Sequence, residues 1–202
     1  MYTLYYLPGA CSLATHVVLD ELNQPVELVD IQQLSDFKDI NPVGSVPVLL
    51  DGDRTLREGA AILLHLLNKH ENHMLPRSGT SREQAIEDIL FANATMHPAY
   101  GRMYFIAGHI TDVSAREAAY TAAANEINKL WQVVEQQLVG RDFLGGERAS
   151  AADILLAVYV RWGVHHPVTI TPGPNATRML DAVTAMPSFQ RAIAAEQTQS
   201  AA

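Results

Sequence analysis

A chain of 202 residues, 48% of them hydrophobic, 18% charged and 7% aromatic, has ordinary globular composition and enough length for one large domain or two small ones. Its formal charge of −8 argues against non-specific nucleic-acid binding, which needs a basic surface to displace counterions from phosphates, and no P-loop or Gly-x-Gly-x-x-Gly pattern points to a nucleotide. No stretch has the apolar length of a membrane span, Met1 to Leu4 carries no basic leader, and a single cysteine rules out an internal disulfide, so a soluble, cytoplasmic protein is expected.

From Tyr2 to about Lys69, short apolar runs alternate with helical ones, as an α/β unit requires. Thr3 to Leu7 reads as a first strand and Ser12 to Leu22 as a helix. Between them lies Tyr5-Tyr6-Leu7-Pro8-Gly9-Ala10-Cys11-Ser12, which sets the only cysteine at a helix start. Unpaired backbone N–H groups and the positive end of the helix dipole favour thiolate there, so Cys11 is the first candidate for chemistry; the alternative is a small buried hydrophobe. Val26 to Asp30 is a second strand, ended by Gln32-Gln33, and Asp36 to Ile40 is long enough only for a short helix. Val46-Pro47-Val48-Leu49-Leu50 reads as a third strand, returned by a Gly52-Asp53 turn through Thr55-Leu56. Glu58 and Gly59 open a helix over Ala60 to Asn68.

After His70 the strand signals stop, and Glu71 to Thr80, with Pro76 and Gly79, reads as a linker. Helix follows throughout. Ser81 to Met96 places Ala85, Ile89, Ala92 and Met96 on one face, and Pro98 just beyond is expected to kink the helix. Ala115 to Leu138 repeats the spacing, and Ala151 to Val164 is apolar nearly all round, the mark of a buried central helix. Ser150-Ala151-Ala152-Asp153 places a hydroxyl at its N-cap and a carboxylate three residues on, a capping box. His165-His166, followed by Pro167 with no cysteine nearby, does not match a zinc pattern, and no metal is expected. The chain ends in a small polar tail, Gln197 to Ala202.

A cysteine after strand one, Val46-Pro47 opening strand three, Glu58-Gly59 at the third helix and the Ser150 to Asp153 box, in that order, resemble the glutathione transferase superfamily over nearly the whole chain. The Tyr-Tyr-x-Pro-Gly-x-Cys-Ser opening is most similar to its bacterial beta class, in which cysteine stands where other classes use tyrosine or serine. The resemblance implies an N-terminal thioredoxin-like domain over 1–72, a linker over 73–80 and an all-helical domain over 81–202. It implies glutathione as a substrate. Cys11, Ser12 and His97 become the catalytic candidates, with Tyr5 a further possibility for activating the thiol. His97 lies in Thr95-Met96-His97-Pro98, where the beta class has a histidine directed at the glutathione sulfur, able to donate to a thiolate or take up a proton near neutral pH.

By the same resemblance, Val46 pairs with the cysteinyl part of glutathione through its backbone, presented by a cis Pro47. Glu58 meets the γ-glutamyl ammonium and Gly59, at a helix start, its carboxylate. Where beta-class proteins often have a longer connection after strand two with a basic residue for the glycyl carboxylate, Gln32-Gln33-Leu34-Ser35 is short and uncharged, so either Lys38 or a glutamine substitutes, or glutathione binds more weakly. A second-substrate pocket between the domains would be lined by Tyr100, Met103, Tyr104, Trp162 and His165. A homodimer is implied, with Asn93 a candidate contributor to its partner. Three functions fit: conjugation of glutathione to small hydrophobic electrophiles, glutathione-dependent disulfide exchange or peroxide reduction through Cys11, and non-catalytic ligand binding on the same fold.

Overall fold

Tyr2, Leu4 and Tyr6 are buried while Thr3 and Tyr5 are only half-buried, the period-two pattern of a strand with one face on a core. The computed structural model describes residues 1–200; of the polar tail Gln197 to Ala202, the residues to Ser200 extend the last helix, and Ala201 and Ala202 lie outside the described residues. The strands are β1 (Tyr2–Tyr6), β2 (Val26–Asp30), β3 (Val48–Asp51) and β4 (Arg54–Arg57). The helices are α1 (Ser12–Glu21), α2 (Phe37–Ile40), α3 (Gly59–Lys69), α4 (Thr80–Leu90), α5 (His97–His109), α6 (Val113–Gln137), α7 (Ala151–Val160), α8 (Pro174–Thr184) and α9 (Pro187–Ser200).

The sheet order is β2-β1-β3-β4, with β1 parallel to β2 and antiparallel to β3, and β4 antiparallel to β3. Leu4 pairs with both Leu28 and Leu49, so the sheet centre is apolar, and α1 and α3 cover it with Leu13, Val17, Ile62 and Leu66, none of which is exposed. Asp51 pairs with Arg54 across the two-residue Gly52-Asp53 turn, where Gly52 takes a φ of +59° at the position a tight hairpin reserves for glycine. Strand three begins at Val48, two residues later than its apolar run suggests, because Pro47 has no N–H to give a ladder. At the far end of the hairpin the Asp51 carboxylate accepts from Lys69 Nζ at 2.6 Å and lies 2.8 Å from His65 Nε2, contacts that hold it below the usual aspartate range.

The described residues pack as two compact units, one of Met1–Ile86 with the residues from Thr184 onward, the other of Glu87–Val183. The division expected at 72–81 follows the loss of strand signals; the packing boundary falls inside α4, and α9 returns to the sheet-bearing unit, where it lies on α1. Arg191 on α9 makes a two-point ion pair with Asp20 near the end of α1, at 2.9 and 2.6 Å.

In the helical unit, α7 is buried from Ala151 to Tyr159. Its capping box forms: Asp153, fully buried, accepts from Ser150 N at 2.7 Å, Ser150 Oγ at 2.7 Å and Leu144 N at 3.0 Å, and Ser150 Oγ accepts from Asp153 N. The distortion at Pro98 takes the form of a π-helical segment, Phe91–Met96, directly before α5. Proline supplies no N–H to the preceding turn and its ring crowds the carbonyl four residues back, so a wider turn relieves both defects. The Glu135 carboxylate caps the start of α8, accepting from Asn175 N at 3.2 Å and Ala176 N at 2.8 Å. Among the described residues, no helix is long and apolar enough to cross a membrane, and no group of three or more His, Cys, Asp or Glu side chains is placed to hold a metal ion.

Candidate functional site

Leu7-Pro8-Gly9-Ala10 is a tight turn closed by Ala10 N donating to Leu7 O at 3.0 Å, with Gly9 at a φ of +72°. Proline second and a positive-φ glycine third are the signature of a type II turn, and this one delivers Cys11 to the N-cap of α1. Cys11 Sγ donates to Val46 O at 3.1 Å, and the Val46–Pro47 bond is cis. The loop that carries Val46 is held by Asn41, whose Nδ2 donates to Ser45 O at 2.7 Å and whose Oδ1 accepts from Val43 N, and by Arg57, which donates twice to Ile40 O. Neither support was foreseen, although Asn41-Pro42 is a turn dipeptide that could have flagged the first.

The expectation of a thiolate at Cys11 is corrected by the structure. The residue is half-buried by surface area, but the surrounding protein desolvates its sulfur and pushes the thiol up to about 11, with a smaller push from the Glu58 charge. Backbone N–H groups of Cys11 and Ser12 act in the opposite direction, as the helix-start argument requires, and lose to burial. The resting sulfur is therefore a thiol, which is why it can donate to a carbonyl. Ser12 is fully buried; its Oγ accepts from Leu7 N at 3.3 Å and donates to Leu7 O at 3.4 Å, so the hydroxyl closes the turn. Tyr5 is half-buried, its ring packed on Phe37 at 5.9 Å.

Glu58 is exposed at the N-cap of α3 with φ +69° and ψ 115°, a conformation sparsely populated by residues with a Cβ. Such strain costs about 1–3 kcal/mol and persists where surroundings impose it, often at a binding site. It leaves the Glu58 carbonyl accepting from Ile62 N at 3.0 Å while Gly59 begins the helix. Lys38 is exposed on α2, its stem running beside Gly44. The sheet-bearing unit thus brings Cys11 against Val46, with Glu58 near enough to act on the thiol, and leaves Lys38 on a solvated surface.

The helical unit gathers the remaining candidates into one aromatic cluster. His97 stacks on Tyr159 with ring centres 4.8 Å apart and tilts against Trp162 at 5.1 Å; Trp162 also meets Tyr100 and Tyr104 edge-on. Burial holds His97 below the usual imidazole range, so it is neutral near pH 7, which favours the donor's part of the two expected for it. Tyr100 and Met103 have no exposed surface, and Tyr100 OH accepts from Trp131 Nε1 at 2.8 Å; these two are core. Tyr104 is 45% exposed and forms the open side of the cluster. His165 is exposed and outside the ring contacts. The buried His166 takes its place, edge-on to Tyr104 at 4.6 Å and 3.4 Å from Tyr120 OH through Nδ1. Two adjacent histidines after a helix gave no signal as to which turns inward. Asn93 Oδ1 accepts from Tyr159 OH at 3.5 Å within its own unit.

A thiol at a helix start facing a cis-proline loop, on a sheet followed by a helical unit with a capping box, defines the thioredoxin-like and all-helical architecture of glutathione transferases. Comparison with known sequences agrees: the model of the glutathione S-transferase N-terminal domain matches residues 10–74 and that of the C-terminal domain residues 90–185. The chain is 31% identical over 204 residues to glutathione S-transferase GST-4.5 of Xanthomonas campestris pv. campestris, covering 98% of this chain and 96% of that protein. Among solved structures, a glutathione S-transferase from Xylella fastidiosa superposes with a TM-score of 0.89 at 27% identity, covering 98% of this chain and 99% of the other. A sphingomonad glutathione S-transferase complexed with glutathione superposes with a TM-score of 0.82 at 28% identity, covering 96% and 98%. The protein belongs to the glutathione transferase family.

Proposed function

We propose that the protein joins reduced glutathione to small hydrophobic electrophiles, as a cysteine-bearing transferase of the bacterial beta class. The observation that carries this reading is the 3.1 Å contact between Cys11 Sγ and the carbonyl of the residue preceding cis Pro47, with Glu58 close by at the start of α3. Glutathione is a peptide, and an extended peptide recognises a backbone N–H and C=O pair such as Val46 offers. Its γ-glutamyl ammonium pairs with Glu58, its γ-glutamyl carboxylate with the α3 start at Gly59, and its glycyl carboxylate with Lys38.

The raised thiol of Cys11 assigns it a donor's part. When the glutathione backbone takes the Val46 carbonyl, the S–H of Cys11 turns to the glutathione sulfur, and as a neutral donor it favours thiolate on that sulfur. The glutathione proton passes to solvent. The thiolate then attacks an electrophilic carbon, a C–S bond forms, and the bonding electrons leave with a departing group or move onto a conjugated acceptor. His97, set among Tyr104, Tyr159 and Trp162, is the second catalytic candidate by the resemblance, and the ring cluster of the helical unit is an apolar surface of the kind a hydrophobic electrophile binds. The protein acts as a cytoplasmic homodimer in this reading, which light scattering tests; a monomer contradicts that part.

Disulfide exchange through Cys11 requires its thiolate, and a value near 11 leaves roughly one thiol in ten thousand ionised at pH 7. Steady-state conjugation assays on Cys11→Ala decide the matter. A fall of tenfold or more in kcat/KM at pH 7 is expected; undiminished conjugation would contradict a role for this thiol.

A further inference from the structure

The turn that carries Cys11 has an anchor in a distant part of the chain. In a type II turn the N–H of the third residue points away from the turn and finds no partner in it. Here that group is Gly9 N, and it donates at 3.0 Å to Oε2 of Glu196, on α9. Glu196 is 3% exposed and shares the buried stripe of α9 with Phe189 and Ala192, a position where spacing alone would place an apolar side chain. An acid on such a stripe is costly to bury and is seldom found there without a bonding role. Arg191, one turn earlier, holds Asp20 at the opposite end of α1, so α9 grips α1 at its tail and the Cys11 turn at its head.

We infer that Glu196 is a positioning residue for the thiol: by accepting Gly9 N–H it locks the Leu7-Pro8-Gly9-Ala10 turn and so fixes Cys11 Sγ against Val46 O. This role rests on the proposed function only in giving the thiol a task; the geometry stands without it. Losing the acceptor frees the turn, and water reaches the sulfur. Since desolvation is the largest influence on this thiol, hydration restores it toward ordinary cysteine behaviour.

The single cysteine makes the test direct, because alkylation by iodoacetamide in the absence of glutathione, followed by intact mass, reports Cys11 alone. In the unmodified protein the rate climbs about tenfold per pH unit from pH 7 to 10. In Glu196→Met, which keeps the apolar packing and removes the acceptor, and in Glu196→Asp, which draws the carboxylate back, the rate at pH 8 rises at least fivefold and the profile bends toward a plateau. Glu196→Gln keeps an acceptor and restores the wild-type profile to within threefold. Arg191→Ala, which loosens α9 at its other tie, also stays within threefold. A rise below fivefold in the Met and Asp variants, or an equal rise in Arg191→Ala, overturns the inference. Glutathione titration of the unmodified protein is a separate readout, so failure of the transferase reading is distinguishable from failure of this one.

Discussion

Replacing Asp153 by alanine removes the carboxylate half of the capping box at the start of α7. Three buried donors lose their partner at once: Ser150 N, Ser150 Oγ and Leu144 N. A buried donor left unsatisfied costs about 1–3 kcal/mol, and the loss of a cap about 1 kcal/mol. Local opening to water relieves part of this, so a net loss of about 3–5 kcal/mol is expected, a large share of the roughly 5–15 kcal/mol that holds a domain folded. For a chain of this size that lowers Tm by on the order of 10 °C. Both tryptophans, Trp131 and Trp162, lie in the helical unit, so their fluorescence during urea unfolding reads the affected unit directly. Asp153→Asn, which keeps one carbonyl acceptor, falls between wild type and alanine. A loss below about 1 kcal/mol in the alanine variant would refute the view that this network holds the buried helix in place.

Gly173 has a φ of +98°, and a Cβ there would meet Glu135 Oε2 at 2.7 Å; Gly173→Ala therefore strains the backbone and pushes the carboxylate off the α8 start, costing about 2–3 kcal/mol in urea titrations. Asp51 is held below its unfolded value by Lys69 and His65, so its contribution to stability is present above the ordinary aspartate range and is lost as pH falls through the depressed folded value. Acid titration followed by circular dichroism should show a shallower acid limb in Asp51→Asn than in wild type, and an unchanged limb would sink that assignment. Neutral His97 predicts that conjugation has no limb at the ordinary imidazole pKa, activity falling only at lower pH, as pH–rate profiles would reveal.

Local features of the molecule were legible from the chain. Cys11 at a helix start, the Gly52-Asp53 hairpin, the capping box and the Pro98 distortion each depend on residues within a few positions of one another. Features decided by distant partners were not. The dipole favouring thiolate at Cys11 can be read from the position, but the burial that outweighs it depends on how the whole fold surrounds the sulfur. Periodicity could not separate Tyr100 and Met103, which packing buries completely, from Tyr104, which it leaves 45% exposed. His166 rather than His165 turns inward, against Tyr104 and Tyr120, partners that lie more than forty residues away in the chain. Glu196 lies 187 residues from the glycine it holds, so no local pattern marks it.

Titration calorimetry of the protein with reduced glutathione at neutral pH, beside Glu58→Ala, tests the central claim most directly. Saturable binding in the micromolar to low millimolar range, corresponding to roughly −4 to −8 kcal/mol, that weakens at least tenfold in the variant is predicted. Absence of heat at several temperatures, or binding that the Glu58→Ala change leaves intact, would contradict it.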